Sequence, residues 1–211
     1  MRALLMGQVC QAKARCARNR NMEERTDEQC WLDFQQGDRR AYQLLYERYA
    51  TLLFSYASKF TTDRELVRDV IQELFVELWL RRERLAPAQS VRFYLMRSLK
   101  NNLIRALRQQ QRHRSERSAD DPEVAFRLPP VEAYQLADAA QEEQLERLQR
   151  ALELLSPQQR EAIYLRFFAE MNLDEIAQVL GIHYQSVANL LHRALQRLRK
   201  HLTVLISLSS L

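Results

Sequence analysis

Glycine is scarce: Gly7, Gly37 and Gly181 are the only ones in 211 residues, and none falls in a P-loop or dinucleotide-binding pattern. Glycine-rich cradles for nucleotide phosphates are therefore excluded. Proline is limited to five residues, which favours helices joined by short turns. Cys10, Cys16 and Cys30 form no CxxC and no sensible disulfide framework, an arrangement that suits a reducing cytosol. His183, His192 and His201 are spaced by nine, about half a turn apart around a helix axis, so they cannot share a metal. No apolar run reaches the length that spans a bilayer, and the apolar tail Thr203–Leu211 falls far short. Paired carboxylates lie only on exposed helix faces or in a linker, and Cys30 has no nearby histidine. What is left is a chain with 46% hydrophobic residues, rich in Leu, Arg, Gln and Ala. The expectation is an all-α, soluble, cytoplasmic protein with no catalytic residues, no metal and no cofactor.

Acidic residues are missing from positions 1–21, where Arg2, Lys13, Arg15, Arg18 and Arg20 account for the whole formal net charge of +5. The rest of the chain is electrically balanced, so the distribution of charge carries more information than the total. Three readings of residues 1–21 stay open: an Arg-rich transit peptide, a basic nucleic-acid arm, or a start upstream of a true initiator at Met22.

Four blocks follow. From Trp31 to about Leu85 apolar residues recur at helical spacing; Leu66, Val67, Val70, Ile71, Leu74, Phe75, Leu78 and Trp79 form one buried stripe. Asp63 or Thr62 is the expected N-cap. A second helix, about Ser90 to Arg112, places Met96, Leu99, Leu103 and Leu107 on one face. Arg81 to Ser118 holds eleven Arg/Lys against two acids, whereas Glu116 to Glu153 holds ten acids against four Arg, with Pro122, Pro129 and Pro130. That reversal marks a solvated linker. The last block opens near Glu142: Ser156-Pro157 starts one helix, Leu173-Asp174-Glu175-Ile176 another, and Gly181 ends it. A third runs from about Tyr184, with Val187, Leu190, Leu191, Ala194, Leu195 and Leu198 as its apolar stripe.

Asp174 to Leu198 has the layout of a helix-turn-helix. Gln185, Ser186, Ala188, Asn189, His192 and Arg193 stand opposite the apolar stripe, and amide and hydroxyl groups there can meet base edges in a major groove. No acid follows Glu175, so phosphate is welcome nearby. A plain helical hairpin with a solvated face is the alternative. Arg97, Lys100, Asn101, Arg105 and Arg108, with Phe93 and Tyr94 at the start of the same helix, suit an unstacked strand; a solvated basic helix is again the alternative. Asp69, Gln72, Glu73 and Glu77 form an acidic helix face, explained by solvation or by a basic protein partner.

Several runs resemble a known family. Leu154–Phe167 (LLSPQQREAIYLRF), Leu173–Ile182 (LDEIAQVLGI) and Ser186–Ala194 (SVANLLHRA) resemble the C-terminal DNA-binding domain of bacterial RNA polymerase sigma factors. Asp69–Trp79 (DVIQELFVELW) resembles their second conserved region, and Phe93–Arg108 (FYLMRSLKNNLIRALR) the helix that meets the minus-ten promoter element. Two such domains with a short linker are similar to the extracytoplasmic-function group. The resemblance implies that Asp69, Gln72 and Glu73, on the face that includes Glu77, dock on a coiled coil of the polymerase largest subunit. It implies that Phe93, Tyr94, Arg97, Lys100, Asn101, Arg105 and Arg108 meet the minus-ten strand, with the loop about Arg84 to Arg92 holding an extruded base. It implies that Ala188, Asn189, His192 and Arg193 read the minus-thirty-five element, with Tyr184, Gln185 and Ser186 at the leading end. Arg105 stands where many relatives have Asp, Tyr94 where many have Trp, and Ala188 where many have a basic residue.

The expected organisation is a basic extension (1–21), a region 2-like domain (22–112), an acidic linker (113–141), a region 4-like helix-turn-helix domain (142–204) and a tail (205–211). Expected partners are core RNA polymerase, promoter DNA and an anti-sigma factor, with no small-molecule substrate. Two bodies on a tether, with their guanidinium-rich faces open, are central to this expectation. A DNA-binding regulator that is not a polymerase subunit and a helical protein-interaction adaptor are the rival readings.

Overall fold

In the computed structural model of the chain, residues 25–88, 90–114, 125–127 and 139–208 are described; the basic extension 1–21, most of the 113–141 linker and residues 209–211 lie outside them. The described residues hold eight α-helices and no strand. Four form the N-terminal bundle: α1 (Asp27–Gln35), α2 (Arg39–Ala57), α3 (Arg64–Arg81) and α4 (Val91–Arg114). Four more follow: α5 (Ala139–Glu153), α6 (Pro157–Phe167), α7 (Leu173–Leu180) and α8 (Tyr184–Leu208).

Local chemistry sets most of these ends. Asp63 caps α3 by accepting from Leu66 N at 3.0 Å, satisfying a first-turn donor that has no partner within the helix. Ser156 and Gln159 form a reciprocal capping box at α6, with Pro157 in the first turn. Asn172 and Glu175 do the same for α7. The block read as beginning at Trp31 begins at Asp27, capped by Thr26, and is broken at Gly37, whose φ of 90° lets the chain reverse between α1 and α2.

Burial follows the helical stripes. Val67, Val70, Ile71, Leu74, Phe75 and Leu78 of α3 are buried, as are Met96, Leu99, Leu103 and Leu107 of α4. Leu66 and Trp79 are half-buried at the edge of the stripe. In α8, Val187, Leu191 and Ala194 are buried, but Leu195, expected in the stripe, is exposed. The turn before α8 rests on Gly181 at φ 68°, from which Ile182 N reaches back to Ala177 O at 3.0 Å. A Cβ at Gly181 would meet nothing within 4 Å, so Gly181→Ala carries only the backbone cost of left-handed geometry, about 1–2 kcal/mol. Thermal melts should show that loss for Gly181→Ala and a smaller one for Gly181→Asn, which tolerates this region better.

The two bundles are not freely tethered. Their buried residues form one continuous core, and α4 packs on α7. The two small helical domains expected from the sequence therefore touch; the basic face of α8 and the Arg105 side of α4 stay exposed, and Lys100 is the cation that the contact encloses. Phe126, placed by the sequence in a solvated linker, is 2% exposed and lies among Tyr56, Phe60 and Tyr164, with ring centroids 5.4–6.1 Å away. An aromatic ring within an acidic, proline-containing stretch can bury its area independently of the flanking residues. Arg127 N anchors the same short segment by donating to Lys59 O at 2.6 Å.

Candidate nucleic-acid interface

Helix α8 presents its first turns to solvent. Tyr184, Gln185, Ser186, Asn189, His192 and Arg193 are exposed, and Ala188 is half-buried. Val187 and Leu191 hold the opposite face against the bundle, so the fixed backbone aims these polar groups outward. Gln185 Nε2 lies 3.5 Å from Asn189 Oδ1, one turn along the same face. The helix-turn-helix surface read from the sequence is thus assembled as one exposed polar strip.

The face of α4 is divided. At 100° per residue, Lys100, Phe93, Arg97, Arg108, Asn101, Tyr94 and Arg105 occupy an arc of roughly 140° in that order. Asn101, Arg105 and Arg108 line an open groove with Ile104, Gln109 and Arg112. Tyr94, Asn101 and Arg105 also line a neighbouring groove whose far wall is Glu77 and Arg81 of α3. Arg97 lies over the Phe93 ring at 5.9 Å and donates to Gln178 of α7 at 3.1 Å. Lys100 turns inward: its Nζ sits 2.7 Å from Glu161 Oε1, and their side chains are 12% and 6% exposed. The sequence groups Lys100 with the open cations, but the structure pairs it. Phe93 and Tyr94 are half-buried rather than freely exposed.

The loop before α4 is pinned from α1. Trp31 Nε1 donates to Ala86 O at 3.2 Å, and Gln35 Nε2 donates to Leu85 O. Trp31 meets Tyr94 edge-on at 5.1 Å, which couples this loop to the start of α4. Arg92, in the first turn of α4, donates to Ala169 O and Glu170 Oε2, each at 2.9 Å. The hydrogen bond to Glu170 raises the guanidinium pKa further, against the desolvation that opposes it.

On α3, Asp69, Gln72 and Glu73 are exposed and Glu77 is half-buried. Asp69 and Glu73 are one turn apart and Gln72 lies between them, so the three form a compact acidic-amide patch. Beside it, Tyr42, Tyr46, Phe75 and Val76 line an apolar groove shared by α2 and α3, with Gln72 on its rim. An acidic-amide patch next to a groove with exposed Tyr46 and Val76 can grip a partner that offers basic and apolar groups together.

Sequence reasoning missed Tyr56, Arg92, Glu161, Glu170 and Gln178. Glu161 accepts from both Lys100 and Tyr56. Burial, foremost, and the adjacent Glu161 carboxylate push the Tyr56 hydroxyl well above its usual pKa. One signal for Glu161 was available: it opens onto four consecutive apolar residues, Ala162–Leu165, wider than a single amphipathic stripe, and the structure buries all five positions.

Known proteins match the same segments. The profile described as Sigma-70 region 2 matches residues 45–113, and that described as Sigma-70, region 4 matches residues 145–198. An RNA polymerase sigma-E factor of Streptomyces antibioticus is 38% identical over 84 residues, 37% of this chain and 47% of that protein. The ECF RNA polymerase sigma factor SigX of Bacillus subtilis is 26% identical over 166 residues, 78% of this chain and 84% of that one. The chain therefore spans about half the length of the first relative and most of the second. Among solved structures, CnrH in complex with the cytosolic domain of CnrY superposes with a TM-score of 0.54 at 25% identity, covering 84% of this chain and 97% of that one. The sigma factor RpoE of Bartonella quintana, solved with the anti-sigma factor NepR, shares the fold at a TM-score of 0.54 and 20% identity, covering 77% and 97%. With a region 2 block and a region 4 block in the same order as in these relatives, the chain belongs to the sigma-70 family of RNA polymerase sigma factors, in its extracytoplasmic-function group.

Proposed function

We propose that this protein is a promoter-specificity subunit: it docks on core RNA polymerase through α3 and directs initiation by reading two promoter elements. The observation that carries this reading is the outward polar strip of α8 behind the left-handed Gly181 turn, on the same chain as the exposed acidic patch of α3. Acidic surface repels DNA and attracts a basic protein, while an acid-free helix does the reverse. Opposite charge on separate elements lets one chain bridge enzyme and promoter.

In this proposal Asp69, Gln72, Glu73 and Glu77 meet the coiled coil of the polymerase largest subunit. Phe93, Tyr94, Arg97, Lys100, Asn101, Arg105 and Arg108 serve the minus-ten strand. Tyr184, Gln185, Ser186, Ala188, Asn189, His192 and Arg193 serve the minus-thirty-five duplex. The division into a region 2 domain (22–112), a linker (113–141) and a region 4 domain (142–204) belongs to the same proposal. The protein acts by binding, in the cytoplasm, and an anti-sigma factor is its expected inhibitory partner. Once one domain has docked, the linker raises the effective concentration of the other at its own promoter element.

Reconstitution with core polymerase, followed by selection of bound promoter fragments, tests the proposal. Recovery of fragments sharing two spaced elements is expected; recovery of random fragments would overturn it. Within the selected site, Asn189→Ala and His192→Ala should each cost about 1–3 kcal/mol on the cognate sequence and relax the preference at one position. Arg193→Ala should weaken cognate and scrambled sites alike, as loss of a phosphate contact does. Equal losses on both sites for all three variants would remove direct readout from α8.

A further inference from the structure

We propose that residues 1–21 fold back onto the groove between α2 and α3 and cover the α3 face proposed above to meet the polymerase. The covering role rests on that docking reading; occupancy of the groove does not. Tyr42 meets Trp79 edge-on at 5.2 Å, and Arg64 lies over the Phe54 ring at 5.3 Å, so the two helices run antiparallel. Two openings of about 690 and 330 Å³ join along their seam, sharing Tyr42 and Val76. From Arg68 to Leu80 the seam runs about 18 Å along α3. Its apolar lining is open to water: Tyr46 and Val76 are exposed, and Leu80 is 73% exposed.

The chain arrives at one end of this groove. Arg25, where the described residues begin, lies 2.5 Å from Asp33 and 3.9 Å from Asp38, the cap of α2. Arg39, the next residue, lines the Leu80 end of the groove. Upstream, Met1, Leu5, Val9, Ala12 and Cys16 recur at intervals of three or four, which on a helix makes one apolar face. Leu5 to Cys16 would span about 17 Å as a helix, close to the length of the seam, and residues 17–24 suffice to reach it. Lys13 and Arg20 flank that face, within a stretch of five cations and no acid. On α3, the step of about 100° per residue puts Asp69 and Glu73 on the same side as Val76 and Leu80, and both carboxylates are exposed. Apolar groups thus meet apolar groups while cations meet carboxylates. The groove's own cations lie at its ends: Arg39, and Arg68, which Glu65 pairs. A helix this short takes its stability from packing. The arm therefore holds only while the groove is free, and a partner that takes Asp69 and Glu73 displaces it.

The native thiols report the docked form. Cys16 is on the apolar face, Cys10 is about 120° around the helix from it, and Cys30 is buried. In the full chain, alkylation of Cys16 by iodoacetamide, read by mass spectrometry, should be ~5–10-fold slower than that of Cys10, each normalised to a synthetic peptide of residues 1–21. The double change Leu5→Asp, Val9→Asp and the groove change Leu80→Asp should each abolish the difference. Titration with core polymerase should show ~5–10-fold tighter binding by a chain begun at Met22 and by the Leu5→Asp, Val9→Asp chain, as expected if the uncovered form is a minor population. Both of these chains keep every described residue, so the comparison does not depend on a disturbed bundle. Equal thiol rates in the full chain overturn the docking of the arm. Protection that survives Leu80→Asp overturns the groove assignment, and protection that grows with protein concentration places the arm on a second copy of this chain instead. Protection without a gain in core affinity overturns the covering role. If no chain binds core polymerase while protection persists, the docking reading of α3 is the part that fails and the arm's site stands.

Discussion

Asp69→Arg and Glu73→Arg, introduced together, are expected to abolish capture by core RNA polymerase while leaving duplex binding through α8 at least as strong. Both carboxylates are exposed on α3, one turn apart, beside Gln72, which itself borders the groove lined by Tyr42, Tyr46, Phe75 and Val76. Their replacement places two cations where a basic partner must approach. Juxtaposed like charges across an interface cost several kcal/mol, so a loss of ~100-fold or more is expected. Stability should move little, because exposed substitutions away from caps and buried networks usually fall within about 0.5 kcal/mol. Titration of labelled protein with core enzyme measures the first effect, and anisotropy on duplex promoter DNA measures the second. Undiminished core binding would remove the docking role from this face and favour a DNA-binding regulator that acts without polymerase.

Trp31→Ala should be the most damaging single change to the N-terminal bundle. Trp31 is 1% exposed, packs edge-on against Phe34 and Tyr94, and holds Ala86 O through its indole N–H. Truncating a buried aromatic of this size costs about 3–5 kcal/mol, because the cavity it leaves closes only in part. For a chain of this length that corresponds to a fall in Tm of ~10 °C. Trp31→Phe separates packing from tethering. It retains most of the ring contact but frees the loop carbonyl, so about 1 kcal/mol of stability should be lost. The Leu85–Ala88 segment would then be less firmly placed against Tyr94, and promoter opening should slow more than stability falls. Thermal melts and permanganate reactivity of promoter thymines check the two halves. Equal promoter opening by Trp31→Phe and the unaltered protein would show that the indole bond does not position this loop.

The elements that could be read from the sequence share a physical property: their signals are local. Asp63, Ser156-Pro157 and Gly181 act on backbone groups within a few residues, so their roles as caps and turn needed no knowledge of the fold. The α3 and α4 stripes follow from a 3.6-residue repeat. The outward strip of α8 follows from its inward one, since a helix with one apolar face must turn the other to solvent. Even there the sequence overreached: Leu195 fits the stripe but is exposed. The Trp31–Leu85 block likewise hid the Gly37 turn, because periodicity alone does not reveal a short reversal between helices.

The contacts that could not be read are those between residues distant in the chain. Lys100 and Glu161 are 61 positions apart, and Trp31 reaches across 55 to Ala86. Nothing local distinguishes Lys100 from Arg105 as a basic residue on α4; only the arrival of α6 and α7 on one side of that helix does. Phe126 sits in a composition typical of a solvated tether, yet its ring has an aromatic pocket waiting on two other helices.

The sequence by itself determined the helical class, the order of the two blocks, the acidic face of α3 and the outward polar strip of α8. Each follows from periodicity, capping and the sign of charge along one segment. Only the tertiary structure decided that the bundles close on each other, that Lys100 is paired and that Phe126 is buried. These outcomes depend on which surfaces meet, and burial, which turns a solvated charge into a partner-seeking one, exists only once they have met.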